Sequence, residues 1–150
     1  MEKIFDTSVN LCGVTLKNPV IAASGTFGFG EEYSQFYDLS AIGGISSKGL
    51  TCEPRQGNAS PRIAETPSGI LNSVGLQNPG IEHFIAEDLP RLNNSGTVVI
   101  ANVAGHSEAD YERIVARLAN EKVDLIEVNI SCPNVKDGGM ALGVSFMMTG

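Results

Sequence analysis

Residues 107–131, SEADYERIVARLANEKVDLIEVNIS, combine a helical pattern with a strand-like one, and this pair of patterns decides the fold. The apolar side chains of the first half recur at helical spacing and form one stripe: Tyr111, Ile114, Val115, Leu118 and Ala119. Ser107 is a good N-cap, and the acidic Glu108 and Asp110 suit the positive end of a helix. The second half, VDLIEVNIS, is an apolar run of strand length. The stretch therefore predicts a helix followed directly by a buried strand.

The same alternation extends upstream. Three further apolar runs predict strands: 19–24 (PVIAAS), 43–49 (GGISSKG) and 97–103 (TVVIANV). Two segments between these strands predict helices: 30–41 (GEEYSQFYDLSA) and 81–92 (IEHFIAEDLPRL), the second disturbed at Pro90. An antiparallel hairpin around Gly13 (SVNLCGVTLK) comes first, and a smaller hairpin is expected at 61–73.

This order, a β-hairpin followed by β-α-β-α-β-α-β, predicts an α/β fold with a parallel sheet and right-handed crossovers. Two architectures fit the order: a small doubly wound sheet, or the N-terminal half of a (β/α)8 TIM barrel. A complete barrel takes about 250 residues, so about four parallel strands in 150 residues would form half of one. The whole chain, 1–150, is then one partial domain.

Composition excludes several classes of function. The formal net charge is −7, which disfavours nucleic acid as a partner. No apolar run approaches membrane-spanning length, and the start MEKIFDTS does not resemble a signal peptide. The odd set of cysteines lacks CxxC spacing, which excludes a disulfide framework and a Cys-type zinc site: Cys12, Cys52 and Cys132. With only two histidines, no metal site is expected, and we predict a cytoplasmic protein without a membrane anchor.

Each predicted strand turns polar at its C-terminal end. The residues at these ends are Ser24, Lys48, Asn102 and Asn129. In parallel α/β proteins the C-terminal edge of the sheet is where ligands bind. One polar strand end carries no information, but four of them, including a lysine and two amides, predict a site.

On the last strand Leu125, Glu127 and Asn129 share the face that would point into a barrel lumen. The alternating residues Ile126, Val128 and Ile130 would pack under helices. We interpret Glu127 as part of a structural hydrogen-bond network and Asn129 as a ligand-binding residue.

The stretch NISCPN, 129–134, contains the candidate for chemistry. Cys132 lies past the strand, and Pro133 biases it toward an extended backbone that fixes the direction of the thiol. Asn129, Ser131 and Asn134 surround it with hydrogen-bonding groups. A thiol with a pKa of about 8.5 can act as a base or nucleophile near neutral pH. The other two cysteines lack such surroundings and are interpreted as small buried apolar residues.

Two further candidates each allow a ligand-binding interpretation and a structural one. In NSVGLQNPG, 72–80, Gly75 lets the backbone approach a ligand, and the Asn72 and Asn78 amides suit a carboxylate or imide. On composition alone, however, an ordinary Asn/Gly turn is the better explanation. Lys48 either reaches solvent or points inward as a fixed cation. The glycines of ASGTFGFGEE, 23–32, are not in the GxGxxG register, so a dinucleotide-binding claim is weak.

Taken together, NPVIAASGTFGFGEEY, SSKGLT, NSVGLQNPG, ANVAG and VNISCPNVKDGG resemble the class 1 dihydroorotate dehydrogenases, and the ASGTFGFGEEY segment is most similar to the NAD-linked type 1B. The resemblance runs from about residue 8 to about residue 143. It implies an FMN-containing TIM barrel that oxidises dihydroorotate to orotate in pyrimidine biosynthesis. It also implies an iron–sulfur flavoprotein electron-transfer subunit as partner, and it allows a homodimer.

The resemblance assigns roles by matching motif. The flavin contacts it implies are Ser24, Lys48, Gly49, Asn102 and Asn129. The substrate contacts it implies are Lys48, Asn72, Ser73, Val74, Gly75, Leu76, Asn129 and Asn134. Cys132 would be the general base.

The family chain is about twice as long, and its later strands supply a second lysine and the loops that hold the FMN phosphate. After Gly143 the sequence VSFMMTG no longer resembles the family. We therefore expect the 150-residue chain alone to expose two strand edges, to retain no FMN and to turn over no dihydroorotate. The alternatives are a dihydropyrimidine dehydrogenase-like flavin enzyme and a non-catalytic half-barrel remnant.

Overall fold

The structure is a computed structural model, and it describes residues 5–130. Its centre is a four-stranded parallel sheet in the order β3-β4-β7-β8. These strands are β3 (Ile21–Ala22), β4 (Gly44–Ser46), β7 (Val98–Val103) and β8 (Leu125–Val128). The four predicted parallel strands are confirmed. Because their spatial order follows their order in the chain without a reversal, the sheet has the connectivity of a barrel rather than of a doubly wound fold.

The core lies between the two central strands and the helices. Strand β4 is fully buried, as is most of β7. Fully buried apolar side chains line this layer: Ile45, Leu50, Phe84, Val99, Val103 and Ile114. Parallel strands covered in this way read as continuous apolar runs, which is the pattern the sequence shows.

The helix predicted after Ser107 is confirmed as α4 (Glu108–Leu118). The Ser107 hydroxyl accepts a hydrogen bond from the Asp110 N–H at 3.3 Å, which caps the first turn. Ile114 and Leu118 lie one helical turn apart and are buried against the sheet.

The helix predicted at 30–41 is shorter than expected. It consists of α1 (Glu31–Ser34) and a separate 3-10 turn (Leu39–Ala41). Asp38 has an extended backbone, and its carboxylate accepts a hydrogen bond from the Ser40 N–H at 2.8 Å. This local cap starts a new turn and so interrupts the helix that the composition suggested.

The segment predicted as a helix at 81–92 is helical but irregular. It contains α2 (Ile81–His83), a π-helical turn (Phe84–Asp88) and α3 (Leu89–Asn93). The wide turn ends two residues before Pro90, whose ring would clash with the carbonyl four residues earlier in a regular α-helix. The predicted disturbance at Pro90 is therefore confirmed, and it takes the form of a π turn.

Both predicted hairpins are present, as β1 (Val9–Leu11) with β2 (Val14–Leu16) and β5 (Ile63–Thr66) with β6 (Gly69–Asn72). Cys12 lies in the first turn with a φ of 50° and is exposed, so its interpretation as a buried apolar residue is wrong. Cys52 is half-buried and packs against the core.

The outer face of β8 is only partly covered. Val128 is 53% exposed, and its neighbours Ile126 and Ile130 are 37% and 43% exposed. The expectation that these three residues pack under helices is therefore met only in part within residues 5–130, where β3 and β8 are the two edges of the sheet. No helix within the same range is long and apolar enough to cross a membrane.

Gly43, which leads into β4, gives a prediction on stability. A Cβ at this position would lie 1.9 Å from the backbone oxygen of Asn18, so Gly43→Ala must displace the main chain. We expect a loss of about 1–3 kcal/mol in the free energy of unfolding, the usual cost of overpacking, measured by urea denaturation. The matched control is Gly44→Ala, whose added Cβ would meet its nearest neighbours at an ordinary 3.5 Å. Equal stability of the two variants would contradict the prediction.

Candidate active site

The polar residues at the strand ends converge around Gly49. A Cβ at Gly49 would lie 2.9 Å from the Leu76 side chain, 3.0 Å from Asn102 Oδ1 and 3.5 Å from Asn129 Nδ2. These residues come from the ends of three neighbouring strands and from the loop after β6. A residue without a side chain is therefore required where the other candidates meet.

A chain of hydrogen bonds links these side chains. Asn102 Nδ2 donates to Glu127 Oε1 at 2.8 Å and lies 3.3 Å from Ser24 Oγ. Asn129 Nδ2 donates to Asn102 Oδ1 at 3.3 Å, and the Ser46 hydroxyl donates to Glu127 Oε2 at 2.5 Å. The interpretation of Glu127 as a member of a hydrogen-bond network is confirmed.

The main chain holds Asn102 firmly. Its side chain is 1% exposed. Its N–H donates to Ser47 Oγ at 3.1 Å, and its carbonyl accepts from the Leu50 N–H at 2.9 Å. An amide in a buried strand with both backbone groups paired has little freedom to move, so it can position what it contacts.

Asn129 is held from two directions. Its N–H donates to the carbonyl of Val103 at 2.8 Å, which continues the pairing of β8 with β7. Its carbonyl accepts a hydrogen bond from the Tyr111 hydroxyl, on α4, at 2.7 Å. Tyr111 thus anchors the backbone just past the end of β8.

Replacing Tyr111 by phenylalanine tests this anchor. The ring would keep its packing and lose only the hydrogen bond, so we expect the free energy of unfolding to fall by about 1 kcal/mol, measured by urea denaturation. Tyr33→Phe is the control, because the Tyr33 hydroxyl makes a longer, exposed bond to the Thr26 carbonyl at 3.2 Å. An effect of Tyr111→Phe no larger than that of the control would show that the contact does not anchor Asn129.

The loop after β6 is held in a strained conformation. Gly75 has a φ of 77°, and a Cβ there would lie 2.7 Å from the backbone nitrogen of Asn58. Leu76 also has a positive φ, 55°, which is uncommon for a residue other than glycine. Asn58 fastens the loop, because its N–H donates to the Val74 carbonyl at 3.0 Å and its side chain donates to the Ser73 carbonyl at 2.7 Å. Strain of this kind persists only where the surroundings fix the backbone.

Asn78 serves the structure of the loop. Its side chain is 5% exposed, and its Oδ1 accepts hydrogen bonds from the N–H groups of Thr51 and Gly80. Its Nδ2 donates to the Leu76 carbonyl at 2.8 Å. The turn interpretation, rather than ligand binding, therefore describes Asn78.

Lys48 is half-buried and lines a cavity of about 450 Å³. The Lys48 N–H donates to the Gly28 carbonyl at 3.0 Å, which ties the end of β4 to the loop after β3. Val74 of the strained loop lines the same cavity. The polar residues that share it and that the sequence reasoning missed are Glu31, Glu32, Arg55, Gln56 and Gln77. Nothing in their spacing indicated it, because they come from a helix and from two separate loops.

The remaining predicted site residues lie elsewhere or outside the described residues. Asn72 and Ser73 line a different cavity of about 230 Å³, along the β5–β6 hairpin. Cys132 and Asn134 lie outside the described range. Within residues 5–130 no group of three or more His, Cys, Asp or Glu side chains could hold a metal ion.

A smaller cavity of about 190 Å³ lies on the other side of Arg55. The Arg55 guanidinium contacts the ring nitrogen Nε2 of His106. The backbone N–H of His106 donates a hydrogen bond to the Asp110 carboxylate at 2.9 Å, which holds the pKa of Asp110 below its usual value. Burial raises the pKa of the Cys52 thiol, which contacts the Asp110 carbonyl at 3.5 Å. A buried thiol with a raised pKa is poorly nucleophilic, so Cys52 is a packing residue.

The family model of dihydroorotate dehydrogenase matches residues 7–150. The chain belongs to the dihydroorotate dehydrogenase family. Relatives include the catalytic subunits of dihydroorotate dehydrogenase B (NAD(+)) from Petrotoga mobilis, 55% identical over 93% of this chain, and from Alkaliphilus metalliredigens, 54% identical over 99%. The chain spans about half the length of these relatives, 47% and 49%.

A solved dihydroorotate dehydrogenase has the same fold. The enzyme of Eimeria tenella, crystallised in complex with ferulenol, superimposes with a TM-score of 0.67 at 26% identity. The match covers 87% of this chain and 38% of that one. The predicted fold, part of an α/β barrel preceded by a hairpin, is confirmed by this neighbour together with the parallel sheet.

Proposed function

We propose that this chain supplies the FMN- and substrate-binding half of a dihydroorotate dehydrogenase that oxidises dihydroorotate to orotate in pyrimidine biosynthesis. The observation that carries the proposal is the convergence of Leu76, Asn102 and Asn129 on Gly49. Membership of the family supplies the reaction. An alternative fold with these motifs would scatter them, because they come from segments more than 25 residues apart in sequence.

The residues present fit a flavin. The absence of a side chain at Gly49 lets the Asn102 and Asn129 amides come together at the end of the sheet, where an added Cβ would lie 3.0 Å from the first and 3.5 Å from the second. Asn side chains carry donors and acceptors that match the ring edge of a flavin, and Ser24 adds a hydroxyl next to Asn102. In the proposal, Ser24, Lys48, Gly49, Asn102 and Asn129 hold FMN. FMN, when bound, supplies the hydride acceptor.

The proposed substrate contacts share Lys48 and Asn129 with the flavin contacts. Lys48, Asn72, Ser73, Val74, Gly75, Leu76, Asn129 and Asn134 form the proposed set. The strained backbone at Gly75 and Leu76 supports this role, since fixed, sparsely populated conformations cluster at ligand sites. The structure favours Lys48, Val74 and Leu76 most, because the first two share one cavity and the third borders Gly49. Asn72 and Ser73, which line another cavity, are the weakest members.

In the proposed reaction Cys132 is the base and Lys48 is the stabilising cation. The Cys132 thiolate takes the proton from the ring carbon beside the carbonyl, and the electron pair of that C–H bond becomes the new C=C bond. The neighbouring carbon loses its hydrogen with both electrons, as hydride. Lys48 places a positive charge where negative charge develops as the hydride leaves. The amides hold the ring so that both C–H bonds face their acceptors.

Further expectations come from the type B relatives. Their name describes a catalytic subunit, which implies a separate partner subunit. We propose an iron–sulfur flavoprotein as this electron-transfer partner, NAD as the final acceptor, a homodimer of catalytic subunits and a cytoplasmic location.

A chimaera tests the function. Residues 1–143 of this chain would be joined to the C-terminal half of the Petrotoga mobilis catalytic subunit, and the 150-residue chain alone would be purified in parallel. We expect the chimaera to carry yellow flavin and to release orotate from dihydroorotate, and the isolated chain to do neither. Dihydrouracil, which lacks the carboxylate, should be a poor substrate.

The alternatives predict other results. Equal oxidation of dihydrouracil would favour a dihydropyrimidine dehydrogenase-like enzyme. A folded chimaera without flavin would favour a non-catalytic remnant. Flavin and turnover in the isolated chain would overturn the view that this half is insufficient by itself.

A further inference from the structure

We infer that Glu127 is a positioning residue that sets the orientation of the Asn102 and Asn129 side-chain amides. The inference rests on the proposed function for its catalytic consequence and on the hydrogen bonds alone for its structural part. The sequence pattern predicts Glu127 only as a structural group. Its hydrogen bonds to Ser46 and Asn102 indicate a more specific role.

Three neighbouring strands bring the components together. Asn102 on β7 lies directly across from Glu127 on β8 in the parallel register. Ser46 is the last residue of β4, which pairs with β7 on its other side. Because all three side chains come from regular strands, their spacing is set by the sheet itself.

The carboxylate imposes a direction on the amides. An ionised carboxylate only accepts hydrogen bonds, so the group of Asn102 that faces it at 2.8 Å must be the NH2 group. The Asn102 carbonyl oxygen is then turned toward Asn129 and accepts from Asn129 Nδ2 at 3.3 Å. Turning the Asn102 amide around would set its carbonyl oxygen against the carboxylate and its NH2 group against that of Asn129. The orientation of Asn129 therefore follows from that of Asn102.

Ser46 fixes the carboxylate in turn. Its side chain is 2% exposed, and its hydroxyl donates to Glu127 Oε2 at 2.5 Å, which leaves Oε1 directed at Asn102. The order of influence is thus Ser46 to Glu127, Glu127 to Asn102 and Asn102 to Asn129. The last two amides are those proposed to contact flavin and substrate, so a change at Glu127 would reach the ligands through them.

Two variants separate the acceptor role from the charge. Glu127→Met keeps the length of the side chain and removes both oxygen acceptors. Glu127→Gln keeps one oxygen for Asn102, and its amide NH2 can donate to Ser46, since a hydroxyl can accept as well as donate. We expect the methionine variant to disturb the amides and the glutamine variant to preserve them. Glu112→Gln, an exposed position on α4, is the control.

The first measurement is independent of flavin and turnover. In the chimaera labelled with 15N-asparagine, the side-chain NH2 signals of Asn102 and Asn129 are assigned from their serine variants. Glu127→Met should shift both sets of signals, whereas Glu127→Gln and Glu112→Gln should leave Asn129 near its original position. Unshifted Asn102 and Asn129 signals in Glu127→Met would overturn the inference.

The second measurement gives the functional consequence. Glu127→Met should weaken FMN binding and raise KM for dihydroorotate by about tenfold or more, the effect of losing one or two well-formed hydrogen bonds. Glu127→Gln should restore both to within a few-fold of the parent. If Glu127→Gln weakened FMN binding and raised KM as much as Glu127→Met, the negative charge of Glu127 and not its acceptor oxygen would be required, and the inference would be wrong. A parent chimaera without flavin would count against the proposed function and not against the positioning role, which the NMR signals decide.

Discussion

Replacing Cys132 by serine is expected to lower kcat for dihydroorotate oxidation by about 10²–10⁴-fold, the usual contribution of a positioned general base. A serine hydroxyl ionises far less readily than a thiol, so the proton on the ring carbon would lose its acceptor at neutral pH. The flavin content should stay at the parent level, because the proposed flavin contacts lie on other residues. Stopped-flow reduction of the flavin by dihydroorotate measures the step directly.

The pH profile adds a second criterion. In the parent chimaera the rate of flavin reduction should rise with pH as the thiol ionises, around its ordinary pKa of about 8.5. The serine variant should lose that rise. Cys12→Ser is the control, since Cys12 is exposed in the β1–β2 turn and far in sequence from the proposed site. Flavin reduction at the parent rate in Cys132→Ser would remove Cys132 from the mechanism.

Replacing Lys48 by methionine has the second largest expected effect. Methionine has a similar length and no charge, so negative charge that develops near the cavity would lose its partner. We expect kcat to fall by about 10²–10³-fold, the range found when one charge-stabilising group is removed. The flavin reduction potential should also become more negative, measured by anaerobic dye titration.

The matched control for Lys48→Met is Lys122→Met, because Lys122 is exposed beyond the end of α4. It should change neither the rate nor the potential. A Lys48→Met variant whose reduction potential equals that of the parent would show that this lysine does not face the flavin, and would support the reading in which it merely reaches solvent.

The sequence predicted those parts of the fold that depend on local periodicity. The apolar runs at 43–49 and 97–103 became the buried central strands, and the stripe from Tyr111 to Ala119 became the only regular long helix among residues 5–130. Periodicity works there because burial on both faces leaves no choice of residue type. It failed at 30–41, where a single Asp38 cap outweighed a composition that suits a helix.

The sequence also predicted much of the candidate site, for a different reason. Ser24, Asn102 and Asn129 stand at strand ends, and parallel strands bring their C-terminal ends to one edge whatever the loops do. Arg55 and Gln77, which also line the cavity, could not be predicted in this way. Their positions depend on loop paths, such as the pairing of Arg55 with Asn78, for which no periodicity exists.

The interpretation of Asn78 shows the limit of reading residue types. Asn72 and Asn78 carry the same amide group and belong to one glycine-containing motif, so the sequence does not distinguish their roles. The structure places Asn78 inside the loop with its amide fully engaged by Thr51, Gly80 and Leu76. Asn72 ends an exposed strand instead. Only the three-dimensional path of the loop separates a structural amide from one that can meet a ligand.

Dihydroorotate oxidation is best tested by mixing dihydroorotate anaerobically with the flavin-loaded chimaera and following the visible spectrum and the release of orotate. We expect the yellow absorbance to bleach and one orotate to form for each flavin reduced, whereas dihydrouracil should cause neither change. A chimaera that holds flavin yet stays yellow after dihydroorotate is added would contradict the assignment of this chain to dihydroorotate oxidation.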